Sequence, residues 1–332
     1  PTADAELTAI TEDTGVVGDF VTQDAELLFS GTVSAPLDAT DKVQIRIDGG
    51  AWQDATVTGT TWTYDHTATK LADGKYKVET RILDAAGNTS VPVAKEIVVD
   101  TKAPDTDTAL SDLSLVDDVG PVQGQIVDGT VTDDATPTFS GKATPEVVQV
   151  QIFDGTDLLA TVPVDPTTNT WTYTPSPALA DGDYSFIAKP VDLAGNVGEG
   201  TDPIDFTITT AVPTAEAELT AITEDTGVAG DFVTKDAELE FSGVINGTLA
   251  AGEKVQIRID GGEWKDATVN GTTWSYDNTT ITLDDGIHKV ETRITNTAGT
   301  STTPLVKEIV VDTKAPDTDT ALSDLSLVDD VG

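Results

Sequence analysis

Apolar side chains recur along this chain mostly at every second position. Val43-Gln44-Ile45-Arg46-Ile47-Asp48 alternates apolar with polar, and Tyr76, Val78, Thr80 and Ile82 alternate with Lys75, Lys77, Glu79 and Arg81. Ile97 and Val99 continue the habit up to Asp100. A period of two sends neighbouring side chains to opposite faces of an extended backbone, so these segments predict half-buried strands. No apolar stripe of useful length appears at helical spacing. The breaks carry turn chemistry, with Asp48-Gly49-Gly50, Asp73-Gly74, Asp154-Gly155 and Asn270-Gly271, residues that enter tight turns at little steric cost. In the first third of the chain, strands are expected over 5–11, 25–33, 41–48, 51–57, 60–67, 74–84 and 91–100.

The pattern repeats. Residues 95–120 return letter for letter as residues 307–332, and the opening PTADAELTAITEDTGVVGDF returns from Pro213 as PTAEAELTAITEDTGVAGDF. Weaker echoes divide this long period in two. Trp62-Thr63-Tyr64 is matched by Trp171-Thr172-Tyr173 and Trp274-Ser275-Tyr276, and Phe29-Ser30-Gly31 by Phe139-Ser140-Gly141 and Phe241-Ser242-Gly243. The unit is then an ordinary domain in size. Three complete domains are expected over 1–103, 104–212 and 213–315, and 316–332 reads as the start of a fourth. The first and third are near-copies and the second diverges. Seven short strands per unit predict an all-β fold of tandem immunoglobulin-like β-sandwich domains in an extended array.

Trp62 and Tyr64 are expected to supply large core side chains, packed by Leu27, Phe29, Ile45 and Tyr76. Trp171 and Trp274 take the same place in the other units. Trp52 and Trp264 each follow a hairpin, where core packing and an exposed binding platform both remain open. The second unit has Asp157-Leu158 near that place and no Trp.

Eighteen Lys and Arg stand against 58 Asp and Glu, a formal charge of −40. Such a surface repels phosphates and anionic lipid heads, so neither nucleic acid nor membrane insertion is expected. There is no cysteine, hence no disulfide to stiffen the array. No apolar run is long enough to span a bilayer, and no signal peptide is visible, as expected of an excerpt from a longer chain.

The topology places the acids. In a sandwich of this type the loop between the sixth and seventh strands sits where the chain enters, the leading end. The loop after the first strand sits where the chain leaves, the trailing end. Glu12 and Asp13 lie in that trailing loop, and Asp117-Asp118 repeat them in domain 2. Asp192-Leu193-Ala194-Gly195-Asn196 forms the leading loop of domain 2, as Asp84 to Asn88 does in domain 1. Asp100 and Asp105 bracket the linker, which Pro104 stiffens. Glu12, Asp13, Asp100, Asp105, Asp192 and Asn196 should therefore meet at the first junction. Asp and Asn also favour turns for their own sake. Their convergence, however, repels itself unless a cation intervenes, and Ca²⁺ takes six to eight such oxygens. Glu224 and Asp225 repeat the trailing pair in domain 3. The second junction contrasts with the first. Thr209 and Thr214 replace the linker aspartates, and Asn296 to Thr300 replaces the Asp–Asn loop, so a weak or absent calcium site is expected there. Pro1-Thr2 resembles that Asp-poor linker although domain 1 keeps Asp84 and Asn88.

The strings VDTKAPD, D-x-A-G-N, TPTFSG and T-x-D-x-G resemble the bacterial Ig-like repeats of giant, type I-secreted RTX adhesins, the biofilm and host-cell adhesins, across the whole chain. The resemblance implies extracellular, Ca²⁺-stiffened extender domains on the bacterial cell surface that hold a distal adhesive tip away from the cell. It also implies ligand roles for Asp100, Asp105, Asp312 and Asp317, with Asp192 and Asn196 from the following domain.

A rigid spacer is thus the first expectation, a monomer whose partners are the neighbouring repeats of its own chain. Strand lengths imply about 30–40 Å per domain. Calcium that binds only the folded form would add about 2.7 kcal/mol per site at a hundredfold excess over Kd. The alternative is an Ig-like module that recognises carbohydrate or a partner protein directly, with Trp52 and Trp264 as candidates. Catalysis is not expected. The two histidines, His66 and His288, occupy unrelated positions, matched in the near-copy by Asn278 and Tyr76, and no nucleophile triad, zinc motif or P-loop is present.

Overall fold

The computed structural model describes residues 1–316, so Asp317 and all but the first residue of the expected fourth unit lie outside the described residues. Domain 1 contains β1 (Ala5–Ile10), β2 (Val21–Thr22), β3 (Leu28–Val33), β4 (Lys42–Ile47), β5 (Gln53–Asp54), β6 (Thr56–Thr58), β7 (Thr61–Asp65), β8 (Gly74–Leu83) and β9 (Val93–Val99). Domain 2 opens with the short helix α1 (Thr106–Ala109). It continues through β10 (Leu110–Asp117), β11 (Gly124–Gln125), β12 (Thr130–Thr132), β13 (Thr138–Ala143), β14 (Val147–Asp154), β15 (Asp157–Pro163), β16 (Thr170–Tyr173), β17 (Gly182–Asp192) and β18 (Ile204–Ile208). Domain 3 contains β19 (Glu216–Ile222), β20 (Val233–Thr234), β21 (Glu240–Asn246), β22 (Lys254–Ile259), β23 (Lys265–Asp266), β24 (Thr268–Asn270), β25 (Thr273–Asp277), β26 (Gly286–Thr295) and β27 (Leu305–Val311).

Each domain is a two-sheet sandwich. In domain 1 the sheets run β1-β3-β7-β6 and β2-β9-β8-β4-β5, and domain 3 repeats this order as β19-β21-β25-β24 and β20-β27-β26-β22-β23. Domain 2 differs at its edge, where β14 and β15 form one continuous hairpin. The expected strand over 51–57 is instead divided. Gln53–Asp54 pairs with β4 in one sheet, and Thr56–Thr58 pairs with β7 in the other. The chain crosses between the sheets at Ala55, whose amide still bonds to the Val43 carbonyl oxygen (2.9 Å), and the tight turn at Gly59, whose φ is +63°, then folds β6 back on β7. A short strand absent from the sequence reading, β2, runs parallel to β9.

The period-two pattern becomes the core. Leu27, Phe29, Ile45 and Trp62 are fully buried in domain 1, with Tyr64 and Tyr76 packed at its margin. Burying such a side chain contributes about 1.5–3 kcal/mol. The repeated Phe-Ser-Gly triplet has a steric cause. A Cβ on Gly31 would collide with the Glu6 carbonyl oxygen and lie 2.5 Å from the Trp62 ring. Gly243 meets Glu218 and Trp274 in the same way. Glycine at this position lets the buried indole lie flat on the strand.

Candidate metal centre at the domain junctions

The trailing loop of domain 1 begins with a left-handed residue, Glu12 (φ +48°). The Glu12 carbonyl oxygen accepts a hydrogen bond from Thr22 Oγ1 (2.5 Å), while the residue itself is exposed. Asp13 Oδ2 accepts from the Gly18 amide (2.6 Å), and Asp13 Oδ1 is shielded from solvent with no donor. Thr14 Oγ1 then donates across the junction to the Ala194 carbonyl. Gly15, at φ +71°, backs onto Leu193 and Gly195 so closely that a side chain there would strike the Leu193 carbonyl. Trailing loop and leading loop thus meet, as the topology required.

On the other side, Asp192 ends β17. Its Oδ1 accepts from the Asn196 amide (2.9 Å) and its Oδ2 from Asn196 Nδ2 (2.9 Å). Asn196 Nδ2 also donates to the Asp100 carbonyl oxygen across the junction (2.8 Å). Asp192 and Asn196 are each 6% exposed. Burial pushes the Asp192 carboxyl above its ordinary value. The Asn196 hydrogen bonds oppose this, and the like charge of Asp100 adds to it.

The linker carboxylates divide. Asp100 Oδ1 accepts from the Lys102 amide (3.1 Å) and remains beside Asp192. Asp105 caps α1, its Oδ1 accepting from the Asp107 amide (3.2 Å). Both line a cleft of about 680 Å³ with Glu146, Asp192 and Pro104. The structure therefore brings Asp100, Asp192 and Asn196 together, sets Asp105 at the cleft wall and leaves Glu12 exposed. In domain 3, Asp225 repeats Asp13, with Oδ2 on the Gly230 amide (2.6 Å) and Oδ1 shielded and unpaired. The Glu224 carbonyl accepts from Thr234 Oγ1 (2.6 Å), and Asp312 Oδ1 accepts from the Lys314 amide (3.2 Å). Among the described residues no three His, Cys, Asp or Glu side chains converge closely enough to hold an ion by themselves. An ion at the first junction would draw on Asn196 and on backbone carbonyls as well.

The second junction closes differently. Asn296 Nδ2 and Thr300 Oγ1 both donate to the Ala211 carbonyl oxygen, each at 3.0 Å. Gly299 packs so close to Pro121 and Val122 of the trailing loop that a Cβ would come within 2.6 Å of Val122. Sequence reasoning treated Asn296 and Thr300 as lost ligands and missed this direct clasp. It also missed Thr14, whose signal was its recurrence as Thr226 in the near-copy. A third omission is Asp133, which joins the expected Asp117 at the trailing end of domain 2. Burial, and then the like charges of Asp117 and Asp134, push Asp133 above its ordinary value. The Asp133-Asp134 pair was its visible mark.

Trp52 and Trp264 are covered by cations. The Arg46 and Arg81 guanidiniums lie 4.6 and 4.1 Å from the Trp52 ring centre, and Arg258 and Arg293 lie 4.5 and 4.2 Å from that of Trp264. No described helix is long and apolar enough to cross a membrane.

Fold, repeat and junction geometry define a tandem array of Ig-like β-sandwich domains. The chain belongs to the bacterial Ig-like domain family, matched over residues 2–101, 112–210 and 211–313. No curated protein matches it. Among solved structures it is similar to the fibronectin(III)-like modules of Clostridium thermocellum CbhA, at 18% identity over 59% of this chain and 92% of that one, with a TM-score of 0.40. It is also similar to a 1.5-MDa bacterial ice-binding adhesin, at 16% identity over 92% and 98%, TM-score 0.29. A third is the Bacteroides ovatus glucan-utilisation protein SGBP-B, at 15% identity over 93% and 70%, TM-score 0.20.

Proposed function

We propose that the chain is an extender segment of a bacterial surface adhesin of the RTX type, extracellular, monomeric and non-catalytic, in which Ca²⁺ stiffens the first junction. The observation that supports this is Asp192, a carboxylate buried at a domain boundary beside Asp100 with its charged form disfavoured. A divalent cation removes that penalty. Asp192, Asn196, Asp100 and the Asp100 carbonyl would hold the ion, with further carbonyls and water completing its shell. Its contribution is electrostatic: it neutralises facing charges and joins the two domains. With the second junction clasped directly, the array keeps its tip at a fixed reach rather than letting it wander. Direct glycan recognition by Trp52 and Trp264 is the weaker reading, because arginines already lie over both indoles.

The test is small-angle scattering of the whole chain in millimolar calcium and in excess chelator, with calorimetric titration alongside. Calcium binding accompanied by a longer, narrower distance distribution is expected. Identical profiles without heat of binding would overturn the proposal.

A further inference from the structure

Two of the three sandwiches place a tyrosine near the start of the strand that precedes the leading loop. Tyr76 Oη donates to the Ala72 carbonyl oxygen (2.7 Å), and Tyr184 Oη to that of Ala180 (2.8 Å). Each phenol pins the incoming loop four residues upstream, the device known in Ig-like sandwiches as a tyrosine corner. Domain 3 carries His288 at this place. His288 Nε2 lies 2.7 Å from the Asp284 carbonyl oxygen, again four residues upstream.

The imidazole makes a second contact. In every domain the turn that ends β4, β14 or β22 offers a carboxylate to the backbone of the strand bearing the corner residue, β8, β17 or β26. Asp48 Oδ1 accepts from the Lys77 amide (2.7 Å), Asp154 Oδ1 from Ser185 (2.8 Å) and Asp260 Oδ1 from Lys289 (2.8 Å). In domain 3 the other oxygen, Asp260 Oδ2, lies 2.7 Å from His288 Nδ1. Both ring nitrogens therefore face acceptors. A carbonyl oxygen and an ionised carboxylate cannot donate, and a neutral imidazole has a single N–H. Only the imidazolium satisfies both.

We propose that His288 is a pH-sensitive corner peculiar to domain 3, which when protonated ties the Asp260 turn and the Asp284 loop to β26 and when neutral releases one of them. The His288 side chain is 11% exposed. The charged groups that bear on it are the Asp260 and Asp284 carboxylates, and β27 sets the apolar Ile309 opposite. Burial pulls the imidazole down, but the hydrogen bonds to Asp260 and to the Asp284 carbonyl outweigh it, and the net displacement is upward. A raised folded value means that the stabilisation is fully present below the ordinary 6.5 and is lost as pH rises through the folded value. Domain 3 tightens in mild acid and loosens in mild alkali.

The experiment uses the whole chain. NMR follows the His288 ring shifts, and hydrogen exchange follows the β26 amides, between about pH 5.5 and 8.5. His288 is expected to titrate above 6.5. Protection at the start of β26, corrected for intrinsic exchange, should fall roughly tenfold for each unit by which the value is raised. His288→Tyr, which restores the residue used in the other two domains, should keep β26 protected and remove the step. Titration at or below 6.5, or the same step in His288→Tyr, would overturn the proposal.

Discussion

Asp84 and Asp192 make the same clasp with opposite consequences for their charge. Each accepts from the backbone and side-chain amides of the asparagine four residues on, Asp84 from Asn88 (2.8 and 2.9 Å) and Asp192 from Asn196 (2.9 and 2.9 Å). The Asn88 bonds hold the half-buried Asp84 below its ordinary value, whereas burial against domain 1 drives Asp192 above it. The hydrogen bonds are constant, so desolvation at the junction makes the difference. Asp192→Asn should therefore weaken calcium binding by the whole chain on the order of tenfold or more, about 1.4 kcal/mol for each factor of ten. Asp84→Asn should leave that affinity unchanged. Titration calorimetry of the two variants decides it.

The same displacement fixes a pH dependence. A carboxyl whose folded value is raised binds its proton more tightly in the folded state. The metal-free junction is therefore favoured as pH falls toward the ordinary carboxylate value of 3.8 and disfavoured as pH rises through the folded value. Calcium needs the ionised form, so acid should weaken calcium binding while tightening the calcium-free joint. Spin-label distances across the first junction, measured in chelator at two pH values, should narrow on acidification and not in Asp192→Asn.

The two junctions should respond differently to chelation. Ala211 is held by Asn296 and Thr300 through neutral hydrogen bonds, which need no ion. Removing calcium should broaden the label distances across the first junction and leave those across the second unchanged. Asn296→Ala with Thr300→Ala should reverse the second half of that result, broadening the second junction at any calcium concentration.

The strands and the meeting of loops were legible in the sequence because both follow from one-dimensional rules. Alternation names the core face, and strand count fixes which loops share an end. Side-chain direction was not legible. Glu12 and Asp13 are neighbours in one loop, yet the left-handed backbone at Glu12 leaves that residue exposed, while Asp13 folds back onto Gly18. Asp105 looked like Asp100 in the sequence, but a four-residue helix follows it and takes its oxygen as a cap. The division of the strand over 51–57 was hidden for a related reason. Alternation says which face a residue takes, not which sheet the strand joins.

Glu291 supplies a separate acid response in domain 3. It is 4% exposed and accepts from Arg258 Nε (2.7 Å), Arg258 Nη2 (3.1 Å) and Lys289 Nζ (2.9 Å). Arg258 and then Lys289 hold its carboxyl down at about 2, from an ordinary 4.5. The sign is opposite to that of Asp192. Its contribution is present above 4.5 and is lost as pH falls toward about 2. Glu291→Gln should flatten the acid loss of protection in β22 and β26 across that window, as read by hydrogen exchange, and leave domain 1 with its own response through Glu79.

Gly31 gives the sharpest test of the core. Its neighbours leave no room for a methyl group, with the Glu6 carbonyl on one side and the Trp62 ring on the other. Gly31→Ala adds the smallest possible side chain, and its intrinsic effect on an exposed strand would be favourable, because glycine weakens strands. The two effects compete with opposite signs. Neither neighbour yields easily. The carbonyl belongs to β1, whose pairing with β3 carries a register shift between Leu7 and Ala9, and Trp62 is 1% exposed. Overpacking should therefore win, costing domain 1 about 1–3 kcal/mol. Hydrogen exchange in β3 and β7 would report the loss, with domain 3 of the same molecule as the unaltered reference. Unchanged or increased protection would mean that the indole can shift, and that the repeated glycine has another cause.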